Sequence, residues 1–340
     1  MSLSHSCPNE GMEMASFRQH GNGWQARVRR KGTPDQTKSF LSLQEAQRWA
    51  RSVEIEIDRG TYVDTSNAQR TTMADLIDRY IVEVLPRMKG ETEDCIRLKA
   101  IKRHPVCKIR LSSLTPTVMG HYRDERLTQV SAGTVIRELA YISSIINHAR
   151  REWGINIDNP IRMVRKPQSP QGRTRILSTI EKHSLLVAVK PTGRRNVWLE
   201  PVVKLALETA MRRGELISLS WSNIDLKRRT ALLETTKNGE RRIVPLSSSA
   251  IDILNNLPRH IGGEVFPVSA CALAAMFDRA VTRAGLLDFR FHDLRHSAIT
   301  DLAKKLPNLL ELSAVSGHKS LKMLQRYYHP NVEELAQKLG

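Results

Sequence analysis

Val135-Ile136-Arg137-Glu138-Leu139-Ala140-Tyr141-Ile142-Ser143-Ser144-Ile145-Ile146-Asn147-His148-Ala149 decides the fold class. Val135, Leu139, Ile142, Ile146 and Ala149 recur at three- and four-residue steps, which is the period of a helix with one buried stripe. Arg137, Arg150 and Arg151 lie off that stripe. Upstream, Leu76, Ile77, Tyr80, Ile81 and Val84 repeat the pattern, and Thr115-Pro116 supplies a helix cap followed by proline at the first helical position. Residues 70–157 therefore read as a helical bundle.

Further upstream the period changes to two. Trp24, Ala26 and Val28 alternate with Gln25, Arg27 and Arg29, which predicts a strand with one apolar and one cationic face. Gly21-Asn22-Gly23 and Gly32-Thr33-Pro34-Asp35 are turn material, so a small three-stranded antiparallel sheet follows between Phe17 and Phe40. Ser42-Leu43-Gln44-Glu45 has the spacing of a capping box and starts a helix running to about Asp58. Residues 15–62 form a first ordered unit, and residues 1–14, polar and aperiodic, form a loose tail. Arg27, Arg29, Arg30 and Lys31 fit either a solvated strand face or a ribbon laid in a DNA groove.

Downstream of the bundle, residues 158–175 hold Pro160, Pro167 and Pro170 among Arg162, Arg165, Lys166, Arg173 and Arg175, which predicts an exposed basic linker. Residues 176–340 mix helices with a short strand pair. Ala231-Leu232-Leu233 and Ile243-Val244 flank Thr236-Lys237-Asn238-Gly239, and Asn-Gly signals a tight hairpin with Lys237 near its tip. The fold class expected is α+β, mainly α. No fixed-period repeat is present.

The whole-chain balance agrees with a polyanionic partner. Lys and Arg outnumber Asp and Glu by 53 to 35, a formal net charge of +18 in 340 residues, and such charge binds a phosphate backbone with steep salt dependence. Charge alone does not separate DNA, RNA and acidic membranes. No apolar run approaches the ~20 residues of a membrane span, and no signal peptide is legible, so a cytoplasmic protein with no membrane partner is expected. Cys7, Cys95, Cys107 and Cys271 form no paired motif, and Cys107 near His104 lacks a second pair of ligands. Neither a disulfide framework nor a metal site is expected.

The last unit carries the chemistry. Met211-Arg212-Arg213-Gly214-Glu215 interrupts an apolar helix. Eighty residues beyond Arg212 comes His292-Asp293-Leu294-Arg295-His296, then Gly317-His318, then Tyr327-Tyr328-His329. Displacement at a phosphodiester needs guanidinium forks for the non-bridging oxygens, and Arg212 and Arg295 suit that. It needs a nucleophile able to form a covalent phosphoester, for which Tyr327 is suited. The departing sugar oxygen needs a proton, which Lys237 is placed to give, while His292 and His318 handle the nucleophile's proton and brace the phosphate. Singly, each of these residues has a plainer explanation as surface, turn or packing; jointly they do not.

Residues 205–330 resemble the catalytic domain of the tyrosine recombinase (phage integrase) family. Its first arginine box resembles Thr209-Ala210-Met211-Arg212-Arg213-Gly214-Glu215-Leu216, with Glu215 as the acid that supports Arg212 and Ala210 where glycine is usual. Its hairpin lysine falls on Lys237. Its second box matches His292 to His296, and its last box resembles Ser316-Gly317-His318, with leucine commoner than Ser316. The nine-residue step from His318 and the Tyr-x-His pattern select Tyr327 over Tyr328. His296 is expected to point away from the site as a structural residue. Thr134 to Ile155 looks like the last helix of the family's core-binding domain, and residues 16–60 are similar to its arm-type DNA-binding domains, which favours DNA contacts by Arg27, Arg29, Arg30 and Lys31.

The resemblance implies a site-specific recombinase that needs no cofactor and no metal. It implies a clamp of bundle and catalytic domain around double-stranded DNA at core sites, with arm-type sites bound separately. Four protomers would synapse two sites and exchange strands through a 3′-phosphotyrosine, a free 5′-hydroxyl and a Holliday junction. The segment after Tyr327 would dock on a neighbour, and the family leaves room for an accessory DNA-bending or excision factor. Integration or excision of a phage or other mobile element is the expected outcome. The competing readings are a type IB topoisomerase, which lacks a separate arm domain, and a DNA-binding regulator that has lost catalysis, which would not keep the whole residue set.

Overall fold

A computed structural model describes residues 15–30, 33–60, 62, 66–88, 90–191, 197–234, 241–328, 336–337 and 339–340. The chain divides into two units, Met1–Gln171 and Gly172–Gly340. Its described part is mainly α with two small three-stranded sheets.

The first unit begins with strands β1 (Ala15–His20), β2 (Gly23–Arg30) and β3 (Thr33–Phe40), antiparallel in the order β1-β2-β3. His20 pairs with Gly23, so Gly21-Asn22 forms the connection, and Gly21 takes φ +59, open to glycine at little cost. Ala26 and Val28 are buried while Arg27 and Arg29 are exposed, the alternation that a half-buried strand imposes. Helix α1 (Leu43–Asp58) is capped by the Ser42 hydroxyl, which accepts from the Glu45 N–H at 3.3 Å. Ala50 and Val53 pack on Val28. The cationic groups of β2 are not idle. Arg27 and Arg29 both reach Asp35 on β3, at 2.6 and 3.0 Å, and Arg30 pairs with Asp58 at the end of α1. Lys31 lies outside the described residues.

The bundle follows as α2 (Ser66–Arg70), α3 (Met73–Glu83), α4 (Glu91–Lys102), α5 (Pro116–Gln129) and α6 (Ala132–Glu152). Thr72 and Asp75 form a reciprocal capping box at α3, and Thr115 caps α5 ahead of Pro116. Val135, Leu139, Ile142, Ile146 and Ala149 all fall in the core of this unit, joined by Ile145. One polar group interrupts that face. Glu138 is buried, takes a two-pronged bond from Arg126 at 2.7 and 3.0 Å, and accepts from the Tyr122 hydroxyl at 2.8 Å. Burial alone would raise its carboxyl, but the Arg126 and Tyr122 bonds outweigh that and hold it below the usual range. Glu138→Ala leaves the buried Tyr122 hydroxyl without a partner and Arg126, which is partly exposed, with Gln129 alone, a loss of about 1–3 kcal/mol. Urea unfolding of the full chain should show a loss of that order; a loss under about 1 kcal/mol would remove the network from the account of stability.

The expected basic linker starts later than residue 158. Asn159 donates to the Ser143 carbonyl and the Asn147 side chain at 3.2 and 3.0 Å, starts a single helical turn at Pro160–Met163, and lets Ile161 and Val164 bury in the bundle core. At its far end Arg173 and Arg175 are committed to acids, Asp293 and Glu181. Two short-spaced apolar residues give no periodicity to read, which is why this segment looks like linker in sequence.

The second unit contains α7 (Thr179–Ala188), α8 (Leu199–Thr209), α9 (Arg213–Ile217), strands β4 (Ile224–Asp225), β5 (Thr230–Leu233) and β6 (Arg242–Pro245), then α10 (Ser248–Asn255), α11 (Ala270–Arg283), α12 (Phe291–Lys305), α13 (Leu309–Ser316) and α14 (Leu321–Leu324). The strands run antiparallel in the order β4-β5-β6, with Leu232 opposite Ile243. The expected hairpin is thus present at its base, while its tip, residues 235–240 with Lys237, lies outside the described residues. Helix α8 is central, packing on α10 and α12 with Leu199, Val202, Val203 and Ala206 in the core. Among the described residues no helix is long and apolar enough to cross a membrane, and no cluster of His, Cys, Asp and Glu is suited to a metal ion.

Candidate active site

Chain reversals bring the separated boxes together. Helix α8 ends at Ala210, which takes the left-handed φ of +52. An L-residue there costs about 1 kcal/mol, which explains why glycine is usual at this corner. The turn allows α9 to start at once, and Arg212 occupies its cap position: the Arg212 N–H donates to Glu215 Oε2 at 2.9 Å and Arg212 Nη1 donates to Glu215 Oε1 at 2.7 Å. Glu215 is buried, and the Arg212 N–H and the charges of Arg242 and Arg212 outweigh that burial, keeping its carboxyl below the usual range.

Arg295 enters from α12 and is only 3% exposed. Its Nη1 donates to the Ala210 carbonyl and its Nη2 donates to the Ser316 carbonyl at 2.6 Å. Arg212 Nη2 reaches the Gly317 carbonyl at 3.5 Å. Two guanidinium groups from different elements therefore converge on consecutive carbonyls at the corner that carries His318. Burial and the repulsion of Arg212 push the Arg295 pKa down to about 9, which leaves it cationic at neutral pH. The Ser316 hydroxyl donates to the Leu312 carbonyl at 2.6 Å, and its oxygen lies 2.8 Å from His318 Nδ1, placed to accept the ring N–H and fix the ring's orientation.

Tyr327 follows α14 and is buried among Ala210, Ala298, Ile299, Leu312 and Leu324. Its hydroxyl is hydrogen-bonded to His296 Nδ1, and the two rings stack with centroids 5.8 Å apart. This corrects the expectation for His296: four residues beyond His292 on α12 it turns toward the tyrosine, not away. His292 itself is exposed, its ring 5.2 Å from that of His296. Burial raises the Tyr327 phenol, opposed by the Arg326 and Arg295 charges. Tyr328 is half-buried beside it.

Three contributors escape sequence reading. Asp293, inside the second box, is fully buried, caps α12 by accepting from the Arg290 N–H at 2.8 Å, and is held by both prongs of Arg173 at 3.1 and 2.8 Å. Arg242 on β6 donates to Glu215 Oε2 at 2.8 Å. His296 is the third. Asp293 and His296 stand inside the second box without a signal for these contacts, while Arg242 is in phase with buried Val244 on its strand.

Burial and the surrounding cations depress both His296 and His318 to about 4 from an ordinary 6.5. Folding therefore favours the neutral rings; that stabilisation is complete above pH 6.5 and is lost as pH falls toward 4. The unfolding free energy from urea titrations should be flat from neutral pH down to about 6.5 and then decline toward pH 4, by an amount on the order of a few kcal/mol. His296→Gln should shallow the decline; a slope unchanged by that substitution would count against this origin.

Against known proteins, the model of the Phage integrase family matches residues 175–334. A shufflon-specific DNA recombinase of Escherichia coli is 36% identical over 280 residues, spanning 80% of this chain and 72% of that protein. A putative integrase/recombinase of Haemophilus influenzae is 33% identical over 337 residues, spanning 94% of this chain and 89% of that protein. Among solved structures, a lambda integrase tetramer bound to a Holliday junction aligns with TM-score 0.63 over 94% of this chain and 97% of that one, at 22% identity. The Tn1549 transposon integrase in complex with circular intermediate DNA aligns with TM-score 0.62 over 79% and 99%, at 18% identity. The fold is shared across nearly the whole length, and the sequence relationship carries more than fold: this chain belongs to the phage integrase family and is a tyrosine-type site-specific DNA recombinase.

Proposed function

We propose that Tyr327 is the nucleophile of strand cleavage, with Arg212 and Arg295 on the phosphate, Lys237 as the acid for the leaving group, and His292 and His318 completing the site. The phenolic oxygen attacks phosphorus, and its proton passes to a neighbouring imidazole. The bond to the sugar 5′ oxygen breaks, and that oxygen takes a proton from Lys237. A 3′-phosphotyrosine and a 5′-hydroxyl result, and reversal by a second 5′-hydroxyl rejoins the strand without an external energy source. The observation that supports this reading most directly is the convergence of the Arg212 and Arg295 guanidiniums on the Ser316 and Gly317 carbonyls, within the corner that carries His318.

Four protomers synapse two double-stranded sites and pass through a Holliday junction, the assembly whose fold likeness appears in the lambda integrase tetramer. Integration or excision of a mobile element in the bacterial cytoplasm, assisted by an accessory bending or excision factor, is the outcome this reading favours. A nicked duplex copied from the DNA bordering the gene should trap an adduct that survives denaturing detergent. No adduct on any duplex from that region would overturn the reading.

Arg27, Arg29 and Arg30 contact arm-type DNA. Their pairing with Asp35 and Asp58 does not prevent this, because exposed pairs are screened by solvent and contribute little, while phosphate contacts release counterions in exchange. Deletion of residues 1–60 should spare cleavage of the core duplex and depress recombination of complete sites by about 10-fold or more, in line with the loss of several phosphate contacts. Full recombination by the truncated chain would remove the arm role.

A further inference from the structure

Arg242 belongs to no box read from the sequence, yet it touches two of them. It is the first residue of β6, and its side chain is 11% exposed. Its Nη2 donates to Glu215 Oε2 at 2.8 Å, while the other Glu215 oxygen takes Arg212 Nη1 at 2.7 Å. Its Nη1 donates at 2.6 Å to the Val315 carbonyl, in the last turn of α13. Its Nε is buried without a hydrogen-bond partner among the described residues. Gly317, at φ +68, packs on this guanidinium so closely that a β-carbon would stand 2.8 Å from Nε and 2.6 Å from Nη1.

A guanidinium buried this far is a poor way to gain stability, since apolar groups of similar volume usually serve a core as well or better. What it supplies is geometry. Without it, Glu215 is free to take both prongs of Arg212 and draw that fork toward itself, and the turn before His318 loses its clamp. A lysine cannot replace the planar fork, because one ammonium cannot reproduce two divergent bonds.

We propose that Arg242 is a positioning residue for strand cleavage: by sharing Glu215 with Arg212 and gripping the Val315 carbonyl, it sets the Arg212 fork and the His318 turn against the scissile phosphate. The proposal rests on the cleavage chemistry given above. It places Arg242 on the side of phosphate charge, not on the side of leaving-group protonation, although its strand directly follows the segment that holds Lys237.

The test compares full-length wild type, Arg242→Lys and Arg242→Met in single-turnover cleavage of three nicked duplexes copied from the DNA bordering the gene. One carries an ordinary scissile phosphate, one a methylphosphonate, and one a sulfur in place of the 5′ bridging oxygen, which leaves without needing a proton. Duplex affinity should change by less than about 3-fold, because Arg242 makes no direct contact in this scheme. Cleavage of the ordinary duplex should fall about 10²-fold, the scale set by misplacing a charge-matching group by about 1 Å. The deficit should shrink to under about 10-fold on the methylphosphonate, where one charge no longer needs matching, and persist on the sulfur duplex. Cleavage at the wild-type rate by both variants overturns the proposal. So does a deficit that vanishes on the sulfur duplex, since Arg242 would then act through Lys237. Should Arg242→Met fail to fold, the ratio between duplexes is read within Arg242→Lys alone. Wild type that forms no adduct would instead sink the proposed chemistry.

Discussion

Tyr327→Phe is expected to abolish the covalent protein–DNA adduct while leaving core-site binding intact. The phenylalanine keeps the ring that packs among Ala298, Ile299, Leu312 and Leu324, so the burial that holds this segment is retained. What goes is the single oxygen that bonds to His296 and, in the proposed chemistry, to phosphorus. No neighbouring hydroxyl replaces it: Tyr328 is next in sequence but only half-buried and outside the apolar cluster. The loss should be complete within detection, at least 10⁴-fold in adduct formation, because covalent catalysis has no partial substitute once its nucleophile is gone. Gel-resolved trapping on a nicked duplex measures it. An adduct formed by Tyr327→Phe would mean that another residue attacks.

Arg295→Ala should have the second largest effect, and for two separable reasons. The guanidinium satisfies the buried carbonyls of Ala210 and Ser316, and leaving them unpaired costs about 1–3 kcal/mol each. It is also one of two forks proposed for the phosphate, and removing one preorganised donor from such a site typically costs 10²–10³ in rate. Together the variant should melt early and cleave at least about 10³-fold more slowly. Arg295→Lys separates the two: it keeps a cation, so stability should partly recover while cleavage stays low for want of a fork. Cleavage restored to wild-type rate by the lysine would show that charge alone suffices and that the fork is unimportant.

Legibility in the sequence followed the range of the interactions. The α6 stripe, the β2 alternation and the caps at Ser42 and Thr115 are local, and each depends on residues three or four apart. Arg212, Arg295, His318 and Tyr327 were legible as candidates because their family boxes are short and ordered. Their convergence was not, since it depends on the left-handed turn at Ala210 and on bonds spanning tens of residues, such as Arg295 to Ala210. Helix phase next to Arg295 turns His296 away from the site, but the chain returns after α14 and sets Tyr327 against its face. Glu138 and Asp293 look like surface acids in sequence, because burial of a charge becomes intelligible only once Arg126 and Arg173 are seen opposite them.

The Tyr327 hydroxyl, covered by apolar side chains and committed to an imidazole, has a kinetic corollary. Tetranitromethane, which reacts with the phenolate, should modify exposed tyrosines of the chain without DNA long before this one, because burial pushes the Tyr327 phenol up. In the proposed chemistry the hydroxyl has to leave His296 before it can reach phosphorus, so a lag between docking and cutting is the expected result.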